Sequence, residues 1–328
     1  MRGSRYTSQM GKITKLLLVL GSVVATSAQA QYPSKPIRMI LSTSPGGGAD
    51  VTARLIAPRL SEALGQNVIV ENRPGASGMI AGEFVARQPA DGYTILLDIT
   101  THAVNPALYA KMPYEPLKDL VPVTQVMQAP NVLVVHPSIP VASVKEFIAY
   151  AKTKDGGLAY ASSGNGSAQH LAAEMFKMRT GIAMVHIPYK GGGPALADVV
   201  AGQVPVFFAL LSSATPHIRA GRLKPLAVTG SARAQSMPEL PTIAESGLPG
   251  YEIYDFNGLY FPARTPSEII SRWHREVARV LTISEVRERF AALGTEPVGS
   301  TPQAFEAFLR TEIAKWTQLV KDANIRVD

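Results

Sequence analysis

The chain has 328 residues and no cysteine, with 32 Lys and Arg against 25 Asp and Glu, a formal charge of +7. Lacking thiols, it is excluded from disulfides, thiol catalysis, Cys-ligated zinc and a lipid-bearing N-terminal Cys. The cations are scattered rather than run together, which argues against nucleic acid, whose affinity comes from clustered phosphate contacts.

The first thirty residues carry Arg2, Arg5, Lys12 and Lys15 and no acid, then an apolar run over 16–24, then Ala28-Gln29-Ala30. A basic start, a short apolar stretch and an A-x-A end predict a secretory leader cleaved after Ala30. The apolar run falls short of the ~20 residues that a membrane span needs. Without those four cations the charge drops from +7 to +3, and 298 of the 328 residues remain. That length can bury a core for one or two domains without disulfides. An exported, unanchored chain is retained only where an outer membrane encloses it, so the expected location is the periplasm.

Residues 37–41 alternate Ile37, Met39 and Leu41 with polar or flanking positions and predict a strand. It leads into Ser42-Thr43-Ser44-Pro45-Gly46-Gly47-Gly48-Ala49-Asp50. A helix over 50–64 follows, with Ala53, Ile56, Ala57, Leu60, Ala63 and Leu64 on one stripe. A strand, three glycines and a helix start can form an anion site, because glycine admits close backbone approach and the first helical N–H groups lack intrahelical partners. The same residues also suit a plain strand-to-helix turn with Asp50 as N-cap, and the motif alone leaves both open.

A strand over 67–70, the loop Asn72-Arg73-Pro74-Gly75, a helix over 77–87, the turn Asp91-Gly92 and a strand over 93–97 continue the chain. Strands alternating with helices predict a parallel α/β sheet. The loop Thr100-Thr101-His102 then lies beyond the carboxyl end of a strand, where open α/β sheets bind ligands. Residues 120–135 are extended, with repeated prolines, and suit a crossing between two lobes. Ser143-Val144-Lys145-Glu146 is a capping box opening a helix to about residue 152.

The opening theme recurs. A strand over 158–161 enters Ser162-Ser163-Gly164-Asn165-Gly166-Ser167 and a helix with Ala168, Leu171, Ala172, Met175 and Met178 on one face. A third small-residue turn, Tyr189-Lys190-Gly191-Gly192-Gly193-Pro194, follows a strand over 184–188, with Pro194 suited to a first helical turn. Strands over 204–211 and 226–229 complete this part, and the chain returns through 251–261. Two or three helices end it, one with the stripe Ile269, Ile270, Trp273, Val277, Val280 and Leu281. Another, begun by Thr301-Pro302, carries Phe305, Phe308, Leu309, Ile313, Trp316, Leu319 and Val320, and Glu312 intrudes on that stripe.

The six histidines show no H-x-x-x-H or H-E-x-x-H spacing, so no metal site and no cofactor are expected. Residues 163–167 lack the G-x-S-x-G elbow, the P-loop lysine is absent after Gly48, and Gly164-x-Gly166 lacks a third glycine. His170 reads as a surface histidine near a cap, neutral and hydrogen-bonding if it acts. Asp50 reads as an N-cap rather than an acid catalyst, Lys190 as a solvated cation, and Tyr189 as a pocket wall. Three Gly/Ser loops without reactive groups favour binding over catalysis.

With these motifs in view, the chain resembles the substrate-binding proteins of tripartite tricarboxylate transporters, also called the Bordetella uptake gene family. The resemblance runs through Tyr32-Pro33-Ser34-Lys35-Pro36-Ile37, Pro45-Gly46-Gly47 with Asp50, and Glu71-Asn72-Arg73-Pro74-Gly75-Ala76. It continues through His102-Ala103-Val104-Asn105-Pro106, residues 160–170, Pro188-Tyr189-Lys190-Gly191 and Leu240-Pro241-Thr242-Ile243-Ala244-Glu245. It implies a two-lobed, Venus-flytrap α/β fold of the periplasmic-binding type, each lobe a mostly parallel sheet flanked by helices, closing on a small carboxylate held by backbone amides of facing loops. Three positions depart from the family. Thr43 stands where an aromatic is usual, Ala209 where an aspartate is usual, and Phe256 where a tryptophan is common.

These readings assign 1–30 to the leader, 31–126 with 257–328 to lobe one and 127–256 to lobe two, with the C-terminal helices packed on lobe one. The expected ligand-binding residues are Ser44, Pro45, Gly46, Gly47, Asp50, Thr101, His102, Ser163, Asn165, Gly166, Ser167, Tyr189 and Gly191, with no catalytic or metal residue. The expected function is capture of a small organic mono- or dicarboxylate for membrane permease subunits, by a monomer without stable membrane anchoring. The alternatives are a ligand-sensing protein for a sensor kinase, or an enzyme on the same scaffold.

Overall fold

The computed structural model describes residues 32–46, 48–189 and 191–325, and Lys35–Asp328 forms one compact unit. The predicted leader, Gly47 and Lys190 lie outside the described residues.

Strand β1 (Ile37–Leu41) lies between β2 (Val68–Asn72) and β3 (Thr94–Ile99), parallel to both. The motif repeats with β5 (Leu158–Ser162) between β6 (Met184–Pro188) and β7 (Val206–Leu210), again parallel. Two antiparallel strands join these triplets, β4 (Leu120–Val135) and β9 (Tyr254–Pro262), giving the order β2-β1-β3-β9-β4-β7-β5-β6. Two short strands, β8 (Lys224–Val228) and β10 (Glu296–Pro297), pair with β4. The stretches predicted to be crossings are thus the centre of the sheet. β4 pairs with β9 over residues 120–130 and with β7 over 131–135. Its register shifts just after Pro122, which has no N–H to give the ladder.

Helices cover the sheet. α1 (Gly48–Leu64) buries Ala53, Ile56, Ala57, Leu60 and Leu64 as its stripe predicts, removing roughly 1.5–3 kcal/mol of apolar exposure for each large side chain. A 3-10 turn (Ala76–Gly78) precedes α2 (Met79–Ala86), so the helix expected from residue 77 starts later. α3 (Thr101–Leu108) begins inside the expected loop 100–102 and continues through Pro106. α4 (Val144–Lys152) is capped by Ser143, whose Oγ accepts from the Glu146 N–H; the Glu146 carboxylate accepts in turn from the Ala142 N–H.

α5 (Ala168–Thr180) departs from its predicted face: Met178 is 44% exposed, while Gln169, His170, Glu174 and Phe176 are buried. The helix is covered on more than one side, so a single stripe misreads it. α6 (Gly192–Val200) and α7 (Leu211–Arg219), the latter unforeseen, follow β6 and β7. α8 (Ser267–Leu281), α9 (Ser284–Ala292) and α10 (Pro302–Asp322) close the chain. α10 packs chiefly along α3 and β4 and buries Trp316 completely. The intruding Glu312 is buried against Lys315, whose ammonium also lies 4.4 Å from the centre of the Trp316 ring. Among the described residues, no helix is long and apolar enough to cross a membrane.

Candidate functional site

The β1–α1 turn is braced from below. Ser44, Pro45 and Gly46 are exposed, and Gly46 sits at φ +80°, a left-handed conformation that glycine adopts without a Cβ penalty. Asp50 lies inside the first turn of α1 rather than at its cap. Its carboxylate accepts from the Gly46 N–H at 2.9 Å, from Asn72 Nδ2 at 3.0 Å and from Arg54 Nε at 3.0 Å. The Arg54 bond, with those from Gly46 and Asn72, holds the Asp50 carboxyl down to about 2. Asn72 Nδ2 also donates to the Thr43 carbonyl at 2.9 Å. The expected N-cap is therefore a buried anchor for the loop.

A second turn, outside the predicted set, packs beside this one. Gly75, Ala76, Ser77 and Gly78 all have positive φ, from 45° to 126°. Ala76 and Ser77 carry a Cβ in that region, a strained conformation for which the surrounding structure must compensate. Asn105 Nδ2 of α3 donates to the Ser77 carbonyl at 2.9 Å. A Cβ on Gly78 would meet both Ser42 Cβ and Asp98 Oδ1 at 3.1 Å, a tight fit between the ends of β1 and β3, and its φ of +88° favours glycine.

Those strand ends lead to Thr101 and His102. Asp98 is fully buried, with Oδ2 3.0 Å from His102 Nδ1, and the His102 ring stacks 4.0 Å from Tyr260. His102 is itself 0% exposed, so the structure sets it in the interior, behind Thr101 at the start of α3. The Thr101 hydroxyl and His102 Nε2 are buried without partners among the described residues.

On the other side, the β5–α5 loop meets α3 directly. Gly166, at φ +74°, lies so near that an added Cβ would stand 2.4 Å from Leu108 Cδ1. Ser167 caps α5, its Oγ accepting from the His170 N–H at 3.3 Å and donating to the Gly164 carbonyl at 2.8 Å. The Gly166 N–H donates to His170 Nδ1 at 3.1 Å, which makes His170 the Nε2–H tautomer. His170 is 5% exposed, correcting its reading as a surface residue. Burial first, then the neighbouring His186 and Lys177, lower it to about 3, so it is neutral as expected.

The third loop closes on the second. The Gly191 N–H donates to the Ser163 carbonyl at 3.2 Å and the Tyr189 N–H to the Ser162 carbonyl at 3.1 Å. The Tyr189 hydroxyl donates to Asp198 at 2.7 Å. Ser163, Asn165, Gly166, Ser167, Tyr189 and Gly191 thus lie on two adjoining loops, which α3 meets through Leu108 and Val104 near Gly166, while His102 of α3 points into the interior. The 75–78 turn lies between Ser42, at the base of the first turn, and Asn105 of α3.

One Ser–His contact bears on catalysis. Ser162 Oγ lies 2.6 Å from His186 Nε2, but Ser162 is 0% exposed and its Oγ also engages the Gly164 N–H and carbonyl. Burial lowers His186 to about 4, a weak base. The pair braces the loop. A cavity of about 830 Å³ lies elsewhere, lined by Pro130, Arg287, Glu296 and neighbours, and contains none of the predicted residues. Among the described residues, no three His, Asp or Glu side chains are placed to hold a metal ion.

Sequence reasoning passed over Ser77, Asp98, Leu108, Gln169, His186 and Asp255. The run Gly75-Ala76-Ser77-Gly78 was a usable signal, since glycines bracketing a small pair favour positive φ. The others are fixed by tertiary neighbours and had no local signal.

Residues 52–325 match the tripartite tricarboxylate transporter family receptor. The chain is 38% identical over 323 residues to Protein BugT of Bordetella pertussis, covering 96% of this chain and 99% of that protein. It superposes on the R. palustris protein Rpa4515 with adipate at a TM-score of 0.82 and 39% identity, over 90% of this chain and 99% of that one. On MatC (Rpa3494) from Rhodopseudomonas palustris with bound malate the TM-score is 0.77 at 31% identity, over 88% and 100% of the two chains.

Proposed function

The chain belongs to the tripartite tricarboxylate transporter receptor family, and on that footing we propose that it captures a small organic mono- or dicarboxylate for a membrane permease of that class. The observation that supports this reading is a glycine-rich turn at the start of each of α1, α5 and α6, with Gly46, Gly164, Gly166 and Gly191 at positive φ and Gly166 lying against Leu108 of α3. Helix starts direct N–H groups and the positive dipole end at an anion. Charge-assisted bonds of about 1.5–3 kcal/mol each, set against the cost of association, suit micromolar capture and release.

The contact residues in this reading are Ser44, Pro45, Gly46, Gly47, Thr101, Ser163, Asn165, Gly166, Ser167, Tyr189 and Gly191. Asp50 and His102 support them from behind. The lobes are 31–126 with 257–328 and 127–256, closing around the ligand. The protein works in the periplasm as a monomer after cleavage behind Ala30, and it performs no catalysis. Adipate and malate, found with the two R. palustris relatives, are the first acids to try. A thermal-shift screen of mono- and dicarboxylates, followed by calorimetry, tests this: at least one acid raises the midpoint and binds one to one. If none does while amines or sugars do, the reading fails.

A further inference from the structure

Asp255 lies on β9 opposite Ala129 of β4, and its two oxygens are taken by different segments. Oδ1 accepts from the Thr100 hydroxyl at 3.3 Å and Oδ2 from Gln169 Nε2 at 2.9 Å. Thr100 immediately precedes Thr101 at the start of α3, and Gln169 stands two residues after the Ser167 cap of α5. The carboxyl therefore sits about one helical turn from two of the loops proposed to receive an anion.

Its partners are neutral, and their hydrogens are committed. Thr100 Oγ1 accepts from the Phe256 N–H at 3.0 Å, which leaves its own hydrogen for Asp255. Gln169 Nε2 divides its hydrogens between Asn131 Oδ1 at 3.1 Å and Asp255. The charged and titratable groups on the surrounding elements are engaged elsewhere. Asp98 of β3 faces His102 of α3, and on α5 His170 faces Gly166 while Glu174 faces Lys177 and Tyr160. β4 has no titratable residue. On α10, which packs on Phe256 through Phe305 and Phe308, Glu312 pairs with Lys315. Among the described residues, no cation acts on Asp255. Asp255 is part-buried; this withdrawal from water pushes its carboxyl up to about 6, while the bonds from Thr100 and Gln169 pull it down.

A carboxylate with no cation beside it among the described residues, set between loops that take in an anion, repels its own ligand. Resting on the carboxylate reading above, we infer that ligand entry and protonation of Asp255 are coupled, so that the protein takes up the anion and a proton together. The O–H bond forms on an Asp255 oxygen with a proton from the solvent, and nothing is oxidised or reduced. The neutral acid keeps an acceptor for Gln169, so the scaffold persists. Linkage makes the coupling reciprocal: acid strengthens binding, and the ligand raises the proton affinity of Asp255.

The test is calorimetry with adipate and malate, and with any other acid from the screen, near pH 7 in buffers of different ionisation heat. The native chain should absorb part of one proton per ligand, and Asp255→Asn none. Affinity of the native chain should fall as pH rises from about 6 to 8, at most about tenfold per unit, and stay flat in Asp255→Asn. Binding without proton uptake by the native chain overturns the coupling, and so does uptake that survives in Asp255→Asn. Should Asp255→Asn fail to fold, the buffer dependence of the native chain alone decides. Failure of every acid to bind overturns the carboxylate reading itself and the coupling with it.

Discussion

The imidazoles of His170 and His186 stack 3.9 Å apart and within 6° of parallel, beneath the loop that carries Gly164 and Gly166. Each accepts or shares a hydrogen bond from that loop, His170 from the Gly166 N–H and His186 through Ser162. Two cations could not stack so, and a protonated His170 could not accept from Gly166. The loop is therefore shaped by two neutral rings.

That relationship sets a pH dependence. Burial lowers His170 to about 3 and His186 to about 4, whereas the unfolded imidazole titrates near 6.5. A base with a depressed folded pKa contributes its full stability above the unfolded value. The contribution is lost as pH falls below 6.5 toward those folded values, because only the unfolded chain gains protons there. The thermal midpoint should drop between about pH 7 and 4. His170→Asn keeps an acceptor near Nδ1 and cannot titrate, so its midpoint should drop less. An equal drop in the variant refutes this.

Ser167→Ala should cost about 1 kcal/mol by chemical denaturation, the usual worth of an N-cap. Its Oγ also ties the cap to Gly164, so affinity for the bound acid should weaken alongside. Loss of affinity with unchanged stability would mean that Ser167 serves the ligand and not the helix.

Gly166→Ala separates two penalties at one position. A Cβ there meets Leu108 Cδ1 at 2.4 Å, and φ +74° disfavours any L side chain. The backbone part is about 1–2 kcal/mol. The contact part is smaller, because a leucine tip can turn aside. Leu108→Ala in the same chain should return only that smaller part in a double-mutant cycle. Full rescue would place the whole cost in the side chain.

Much of this was legible in the chain, and unevenly. The strand-glycine-helix turns at Gly46 and Gly164 were readable because glycine and a helix start are local signals. The apolar stripe of α1 was readable for the same reason. α3 was missed because Thr101, His102 and Pro106 argue locally for a loop, and burial against α10 overrides them. The face of α5 was misread because Phe176 and His170 are covered from a side that no periodicity announces. Asp255 could not have been found, since its partners Thr100 and Gln169 stand 155 and 86 residues away.

Glu312, the acid on an apolar stripe, offers an asymmetric pair of substitutions. Burial raises its pKa while Lys315 opposes the rise. Replacing Glu312 by Leu removes a buried charge and should leave stability unchanged or higher. Lys315→Ala strands the carboxyl and should cost about 1–3 kcal/mol. An acid with a raised folded pKa loses stability as pH rises, so the Lys315→Ala deficit should grow from about pH 5 to 8. A deficit independent of pH would point to lost packing over Trp316 instead.

Asp50 gives the sharpest test of what organises the first turn. The residue is 3% exposed but lies just under the surface, where water still screens the Arg54 guanidinium, itself 53% exposed. The loop bonds from Gly46 and Asn72 should therefore matter more than the ion pair. Asp50→Asn keeps one acceptor and turns the other oxygen into a donor facing a donor, at a cost of about 1–2 kcal/mol near neutral pH. The sign with pH is opposite to that of Glu312. The Asp50 carboxyl is held down to about 2 against an ordinary 3.8, so its contribution is present above 3.8 and vanishes as pH falls through 2. Native and Asp50→Asn chains should converge in stability toward about pH 2. Arg54→Ala should be milder than Asp50→Asn in both stability and acid affinity, because Gly46 and Asn72 still fix the carboxylate. If Arg54→Ala proves the more damaging of the two by calorimetry, the ion pair holds the turn and the loop bonds are incidental.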